Sequence, residues 1–223
     1  GAQVIISSRS QEACDAVVEE FKKEGLSAIG IACHIGKDEQ RKQLVSKTIA
    51  AFGRIDILVN NAATNPVYSP IEQIDPVIFD KIMEINVKAP WALSNLVLPH
   101  LQANKNGSII NIASVEALTP GYGLGVYSTS KAAILMLSKN QAKEWGAYGI
   151  RVNAICPGLI KTKFSAALWQ NEKMLKTLEK SIPSGRMGMP EEMVGLACLL
   201  ASNAGNYMTG GVYTADGGYM IAG

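Results

Sequence analysis

Short β-branched runs alternate with longer amphipathic stretches along almost the whole chain, and this alternation constrains the fold more than any other feature. The strand candidates are the runs at 3–8, 27–33, 55–60, 107–114, 150–156 and 210–216. The helical patterns between them lie at 10–24, 37–52, 75–103, 125–147 and 190–202. Strands joined by crossover helices pair in parallel, and near-continuous apolar runs are typical of strands that are covered on both faces. We therefore predict an α/β fold, a doubly wound Rossmann-type parallel sheet flanked by helices.

Residues 1–223 are predicted to form a single domain of this type, because a chain of 223 residues can bury a core of its own and contains no linker or repeat. The segment 159–189 interrupts the alternation and is rich in Leu, Met and Lys. We expect this segment to form a small, mostly apolar lid over the substrate instead of another sheet unit.

Charge and hydropathy argue against several classes of partner. The net charge is +2, and Lys and Arg are spread along the chain without a cluster, so neither nucleic acid nor a membrane surface is expected. No apolar run is long enough to cross a bilayer. The four cysteines form no C-x-x-C pair and have apolar neighbours, which predicts buried free thiols and no metal site. They are Cys14, Cys33, Cys156 and Cys198.

Polar residues follow three of the predicted strands at the point where each strand ends. Asn60 and Asn61 lie at the end of the third strand and Ser114 ends the fourth, and the segment Cys156-Pro157-Gly158 lies at the end of the fifth. Ligands of open parallel sheets bind beyond the carboxyl ends of the strands. Tyr127 and Lys131 are four residues apart on the next predicted helix, and so share one face of it. We expect these side chains to converge on one rim of the sheet.

This group of side chains suits the reduction of a carbonyl by hydride, which requires a proton donor at the oxygen. A free phenol has a pKa near ~10, and a neighbouring ammonium favours the phenolate. We therefore expect Lys131 to lower the pKa of Tyr127, Tyr127 to act as the acid, and Ser114 to hold the substrate oxygen. Asn86 is expected to kink its helix and to hold a water leading to Lys131. Taken singly, each residue also fits an ordinary role in a helix or a turn.

Four segments resemble the short-chain dehydrogenase/reductase family, and the resemblance runs along the whole chain. They are "NNAA" (60–63), "NVKAP" (86–90), "YSTSK" (127–131) with Ser114 thirteen residues before it, and "RVNAICPG" (151–158). Within the family the chain is more similar to the NADPH-dependent carbonyl and retinal reductases of animal peroxisomes and their bacterial relatives. That likeness is carried by "ISSR", "CHIGK", "NAATNP" and "PGLIKTKFS".

The resemblance implies a catalytic tetrad of Asn86, Ser114, Tyr127 and Lys131, and transfer of the pro-S hydride of NADPH. It also implies a homotetramer packed through the helices at 75–103 and 125–147 and the C-terminal strand. The implied cofactor contacts are Ser8, Arg9, His34, Ile35, Asn60, Ala62, Tyr127, Lys131, Pro157, Gly158, Ile160 and Thr162.

The form of the cofactor is predicted from the end of the first strand. An acidic residue at this point binds the ribose 2′-hydroxyl of NAD, whereas an Arg accommodates the 2′-phosphate of NADP. The stretch 7–11 contains Arg9 and no Asp or Glu, and a guanidinium is well suited to phosphate. NADP(H) is therefore the predicted cofactor, although Arg9 is also compatible with a simple exposed position after a strand.

Three departures from the family pattern bear on this prediction. A glycine-rich turn of the T-G-x-x-x-G-x-G type is absent, together with its strand. We expect the missing strand to lie between those at 3–8 and 55–60. Without this strand and its glycine-rich turn cofactor binding would be weak, so we expect the protein to continue before Gly1. His34 stands where the family usually has Asp, and Ala63 replaces the Gly of "NNAG".

The predicted function is that of an NADPH-dependent carbonyl reductase, or alcohol dehydrogenase in reverse, acting on an apolar ketone, aldehyde or α-dicarbonyl. A 3-oxoacyl-thioester reductase or a sugar dehydrogenase on the same scaffold is one alternative. A non-catalytic binding protein without the nucleotide loop is another. The chain ends in "YMIAG" and not in a peroxisomal tripeptide, so the cytoplasm is the expected location, with the peroxisome left open by the family likeness.

Overall fold

Parallel strands and α-helices alternate along residues 1–222, which are the residues described by the computed structural model. The strands are β1 (Val4–Ile6), β2 (Ala28–Gly30), β3 (Ile57–Asn60), β4 (Gly107–Ile112), β5 (Ile150–Pro157) and β6 (Val212–Ala215). The helices are α1 (Gln11–Lys23), α2 (Asp38–Phe52), α3 (Pro76–Met83), α4 (Ala89–Asn104), α5 (Gly125–Trp145), α6 (Ala166–Trp169), α7 (Glu172–Lys180) and α8 (Val194–Ala201). Gly223, the last residue of the predicted domain, lies outside the described residues. The predicted α/β class with a parallel, helix-flanked sheet is confirmed.

The strands form two separate sheets. One has the order β3-β4-β5-β6 and the other pairs β1 with β2, and every pairing is parallel. No ladder joins β1 to β3 among residues 1–222. Because the strands of each sheet run in one direction, the loops that follow them emerge at its carboxyl edge.

The middle of the four-stranded sheet is buried on both faces. Ile109 and Val152 pack on one face against α2, α4 and α5, and Ile110 and Ile155 pack on the other face against α8. All four side chains are fully buried. This explains why apolar side chains occur on both faces of β4 and β5.

Helix ends follow the signals in the sequence. The Ser10 hydroxyl accepts a hydrogen bond from the Ala13 N–H (3.2 Å) and so caps α1. Gly53 ends α2 with φ of 72°, a conformation that favours glycine. The N-terminus of α2 begins after Lys37, whose side chain makes no capping bond.

The predicted helix at 75–103 is interrupted where Asn86 lies. The chain passes from α3 through a π-helical turn at Glu84–Lys88 into α4. A π-turn widens the helix by one residue per turn and is a recognised cause of a local bend. The expected distortion at Asn86 is therefore present, and it points the amide of Asn86 into the protein, where 1% of the residue is exposed.

One of the cysteine predictions is wrong. Cys14, Cys33 and Cys156 are buried free thiols, but Cys198 is exposed. It lies on α8, which is apolar all round, yet packs only one side on the sheet and leaves Val194 and Leu199 partly exposed as well. Within residues 1–222, no helix has the length and apolar character needed to cross a membrane, and no group of three or more His, Cys, Asp or Glu side chains is placed to hold a metal ion.

Candidate active site

Ser114 lies just beyond β4 and starts the short 3₁₀ turn Val115–Ala117. Its backbone is extended, with φ of −171° and ψ of 159°, and its Oγ accepts a hydrogen bond from the Glu116 N–H (3.1 Å). Since that bond uses an acceptor position, the hydroxyl hydrogen of Ser114 remains available for donation.

Tyr127 lies on the first turn of α5 and is 9% exposed. Burial raises the pKa of its phenol to about 12; the hydroxyl of Ser114 opposes this rise and the charge of Glu116 adds to it. The ring lies against Phe164, with 6.0 Å between the ring centroids. The prediction that Lys131 lowers the pKa of Tyr127 is wrong for this arrangement, because burial dominates.

Lys131 is one turn further along α5 and is 3% exposed. Its Nζ donates a hydrogen bond to the Ile112 carbonyl (2.8 Å) and lies 5.7 Å from the centroid of the Tyr127 ring. Burial lowers the pKa of Lys131 to about 8, and the nearby Cys156 sulfur acts in the opposite direction. At the pH where a phenol with a pKa of about 12 ionises, Lys131 has already lost its proton, so it cannot stabilise the phenolate by its charge.

Asn86 is held in place by three hydrogen bonds from the π-turn to neighbouring segments. Its Oδ1 accepts from the Thr64 N–H (2.8 Å), and its Nδ2 donates to the Thr64 carbonyl (3.0 Å) and to Ser130 Oγ (3.0 Å). Ser130 in turn donates to the carbonyl of Tyr127 (2.7 Å). The amide of Asn86 therefore ties the π-turn to the loop after β3 and to the helix that carries Tyr127, and is not directed at Lys131.

A second polar network beneath this site was not predicted from the sequence. Asn60 Nδ2 donates to Asn111 Oδ1 (2.8 Å) and Ser94 Oγ (3.2 Å), and Asn111 Nδ2 donates to Ser138 Oγ (2.8 Å). All four residues are buried. The network joins β3 and β4 to α4 and α5, and its one visible signal in the sequence is an Asn in the middle of the apolar strand "GSIINI". Because both N–H groups of Asn60 Nδ2 are used here, a cofactor contact from Asn60 would have to come from its Oδ1 or from its backbone.

The predicted nucleotide contacts near β1 and β2 lie on an open surface. Ser8 and Arg9 follow β1 and are exposed. Ser8 Oγ donates to the Ser10 carbonyl (3.1 Å). His34 is half-buried, and its Nδ1 accepts from the Gly36 N–H (3.2 Å), while the Ile35 carbonyl accepts from the buried Arg41. Ala62, beyond β3, is exposed.

The predicted contacts beyond β5 belong to a tightly built turn. Pro157 ends the strand, and a Cβ at Gly158 would lie 2.7 Å from Asp216 Cα, so the close approach to the end of β6 requires glycine. Ile160 bridges to Gly188. Thr162 is held by two hydrogen bonds: the Thr162 N–H donates to Ser165 Oγ (3.1 Å), and the Thr162 carbonyl accepts from the Trp169 indole.

These residues fit a nicotinamide dinucleotide. The guanidinium of Arg9 is exposed and makes no ion pair within residues 1–222, so it is available to a phosphate. The buried Nζ of Lys131 has one protein acceptor and further N–H groups for hydroxyl oxygens. The strands β3, β4 and β5 are parallel neighbours, so their carboxyl ends present backbone groups and the Ser114 hydroxyl along the carboxyl edge of one sheet.

The comparisons with known proteins agree with this geometry. A protein-family model described as enoyl-(acyl carrier protein) reductase matches residues 1–220. The rabbit (Oryctolagus cuniculus) protein "Dehydrogenase/reductase SDR family member 4" is 42% identical over 218 residues, which cover 98% of this chain and 84% of that protein.

Solved structures show the same fold. A gluconate 5-dehydrogenase from Burkholderia cenocepacia J2315, solved in complex with NADP and tartrate, superposes with a TM-score of 0.95 at 30% identity and covers 100% of this chain and 87% of its own. A putative NAD(P)-dependent gluconate 5-dehydrogenase from Beutenbergia cavernae, with NADP bound at low occupancy, has a TM-score of 0.92 at 32% identity over 99% of this chain and 88% of its own.

Proposed function

Since the chain belongs to the short-chain dehydrogenase/reductase family, whose members are oxidoreductases acting on CH–OH and C=O groups, we propose that it is an NADPH-dependent carbonyl reductase of apolar ketones, aldehydes or α-dicarbonyls. One observation carries the proposal: the phenol of Tyr127, the hydroxyl of Ser114 and the ammonium of Lys131 meet at the carboxyl edge of a parallel sheet.

The protein groups have distinct roles in the proposed reaction. The nicotinamide, when bound, supplies the hydride. The hydroxyl of Ser114 donates a hydrogen bond to the substrate oxygen, and Tyr127 transfers its phenolic proton to that oxygen as negative charge builds there. Lys131, with a pKa near 8, exchanges protons readily at physiological pH and holds the ribose hydroxyls. Asn86 acts as a positioning residue through Thr64 and Ser130.

The pKa of Tyr127 suits its proposed role as the proton donor in reduction. A phenol with a pKa of about 12 is fully protonated at neutral pH, which is the state needed to protonate an alkoxide. The reverse reaction needs the phenolate, which is scarce under the same conditions.

The preference for NADP(H) is supported by charge at the end of β1. The guanidinium of Arg9 is exposed and permanently charged, and residues 7–11 contain no carboxylate that could bind a ribose 2′-hydroxyl. Two of the structural relatives bind NADP. NADPH is therefore the form of the cofactor that we propose.

The substrate class is supported by the side chains around Tyr127. Phe164 lies next to the Tyr127 ring and is 57% exposed, while Tyr68 and Ile71, which are 66% and 60% exposed, lie against Gly123 and Gly125 just before Tyr127. Exposed apolar side chains at one mouth suit an apolar substrate. The segment 159–189, with α6 and α7, is proposed to cover it.

A sugar dehydrogenase remains the second candidate, because two structural relatives are described as gluconate 5-dehydrogenases. The experiment that separates the candidates is a substrate panel in which oxidation of NADPH and of NADH is followed by absorbance. We expect turnover of apolar ketones or α-dicarbonyls with NADPH. Faster turnover of a keto-sugar acid or of a 3-oxoacyl thioester would replace the proposed substrate class, and fluorescence-detected NADPH binding without any turnover would favour a non-catalytic protein.

A homotetramer is proposed on the family likeness and on the surface of α4 and α5. A groove of about 480 Å³ beside these helices is formed by α3, the π-helical turn and the start of α4 together with α5, and is lined by Met83, Val87, Trp91 and Leu137, among others. Trp91 is 49% exposed and Met136 on α5 is 58% exposed. Light scattering of the purified protein tests the assembly, and Trp91→Lys is expected to dissociate it if these helices form the interface.

A further inference from the structure

A carboxylate lies beside Ser114 and Tyr127. Glu116 lies in the 3₁₀ turn after β4, two residues beyond Ser114, and its N–H donates to Ser114 Oγ. Its Oε2 accepts hydrogen bonds from Ser128 Oγ (2.8 Å) and from the Gly121 N–H (2.7 Å). Ser128 is the residue after Tyr127 on α5, so Glu116 is tied to both groups that are proposed to contact the substrate oxygen.

The position of this carboxylate is fixed by the loop in front of α5. A Cβ at Gly121 would lie 2.8 Å from Glu116 Oε1, so the loop closes on the carboxylate as tightly as glycine allows. No hydrogen bond to Oε1 is found among residues 1–222, and Glu116 makes no ion pair within them. One carboxylate oxygen therefore keeps its acceptor capacity.

The cations near the mouth do not neutralise this charge. Lys131 directs its Nζ to the Ile112 carbonyl, and Lys161 lies over the Trp169 ring at 5.3 Å. The phenol of Tyr127 responds to the charge of Glu116, which contributes to its raised pKa. The field of Glu116 thus reaches the atom at which the substrate oxygen is proposed to bind.

We propose that Glu116 determines the charge preference for substrates, so that the site takes carbonyl compounds bearing an ammonium or no charge and rejects those bearing a carboxylate. This inference rests on the proposed carbonyl reduction at Tyr127. It further separates this chain from a dehydrogenase of sugar acids, whose substrates carry a carboxylate. A like charge placed against an incompletely solvated carboxylate is disfavoured, and an opposite charge is favoured.

The test uses three aromatic ketones of matched shape that carry an ammonium, a neutral amide or a carboxylate remote from the carbonyl. With NADPH and the full chain, kcat/KM is expected to fall in that order, by about tenfold between the ammonium and the carboxylate ketone, which corresponds to about 1.4 kcal/mol. Glu116→Gln keeps an acceptor oxygen for Ser128 and Gly121 but removes the charge. We expect this variant to bring the ratio of kcat/KM between the ammonium and the carboxylate ketone to within about twofold of unity.

The matched control is Glu144→Gln, which makes the same change in net charge at an exposed position on α5, 17 residues or roughly 25 Å along the helix from Tyr127. This control should leave the ratio unchanged. The inference is overturned if Glu116→Gln leaves the ratio as in the wild type, or if it lowers all three values equally, which would show a purely structural role. Absence of turnover with every ketone in the wild type would refute the proposed carbonyl reduction itself, and the inference with it.

Discussion

The four-stranded sheet and the two-stranded sheet offer the same kind of carboxyl edge, but the side chains behind them are packed very differently. In β4 and β5 nearly every residue is buried, and Ile109 and Ile155 are 0% exposed. In β1 and β2 no residue is fully buried, and Ile29 is 38% exposed. The groups proposed for chemistry lie beside the carboxyl edge of the first sheet, on α5 and in the turn after β4, and Arg9, proposed for the 2′-phosphate, follows a strand of the second.

The difference extends to the polar groups. Asn86, Lys131 and Asn111 are buried and hydrogen-bonded to fixed partners, whereas Arg9 projects from an exposed loop. Groups that must be held within a fraction of an ångström for proton transfer need such support, but a phosphate contact tolerates a mobile side chain. The comparison therefore predicts steep effects in the first region and shallow effects in the second.

The largest effect is expected at Tyr127. Tyr127→Phe removes the phenolic proton donor while keeping the ring against Phe164. General acid catalysis is worth roughly 10²–10⁴-fold, and we expect kcat for ketone reduction to fall by about 10³-fold with NADPH affinity nearly unchanged. Tyr148→Phe, at an exposed tyrosine beyond the far end of α5, is the control. Wild-type turnover by the Tyr127 variant would remove the proposed acid.

The packing difference itself is tested by one pair of substitutions. Ile155→Ala in β5 empties a fully buried position, and should lower the free energy of unfolding by about 3–4 kcal/mol. Ile29→Ala in β2 removes the same atoms from a partly exposed position, and should cost less than about 1 kcal/mol. Urea denaturation measures both. Equal losses would show that the two sheets are packed equally well.

Burial of Lys131 makes the stability of the region around the four-stranded sheet depend on pH. Burial lowers the pKa of Lys131 from 10.5 to about 8, so between these values the unfolded chain binds the proton more tightly than the folded one. The contribution of Lys131 to the free energy of unfolding should therefore rise with pH in this window, by about 2 kcal/mol from pH 8 to 10. The thiols of Cys33 and Cys156, whose pKa values are raised by burial, act in the opposite direction, so the contribution is measured as the difference between the wild type and the Lys131 variant. Lys131→Met should abolish that contribution. Tyr127, whose pKa is raised, acts oppositely only above pH 10.

The same contrast explains which features could be predicted from the sequence. The order of strands and helices follows from hydrophobic periodicity, and caps such as Ser10 follow from local chemistry. The direction of the pKa shift at Tyr127 could not be predicted in this way. It depends on how deeply the phenol is buried, which is set by the packing of the helices on the sheet. The exposure of Cys198 was missed for the same reason, since an apolar sequence does not show which face of α8 meets the sheet.

Side-chain partners at the site were predicted only in part. Tyr127 and Lys131 share a helix, so their spacing alone places them together. Glu116 and Ser128 are twelve residues apart and Asn86 and Ser130 are forty-four apart. Such pairs are fixed by how the loops close over the sheet, and a single sequence contains no direct signal of it.

The open region is tested at Arg9. Arg9→Ala should weaken NADPH binding by about tenfold, or about 1.4 kcal/mol, and leave NADH binding unchanged, because only the 2′-phosphate loses its partner. Arg54→Ala, at an exposed Arg beyond α2, is the control. Fluorescence titration with both nucleotides measures the effect, and an equal loss for NADH would show that Arg9 does not contact the 2′-phosphate.

The smallest effect concerns an exception inside the well-packed region. Gln141 on α5 is 4% exposed, and neither its Nε2 nor its Oε1 has a hydrogen-bond partner among residues 1–222. A buried polar group without a partner is unfavourable by about 1–3 kcal/mol. Gln141→Leu, which is similar in volume, should therefore raise the free energy of unfolding by about 1 kcal/mol, whereas Gln43→Leu on the exposed face of α2 should change it by less than about 0.5 kcal/mol. A loss of stability at Gln141 would mean that its amide is satisfied in the native state.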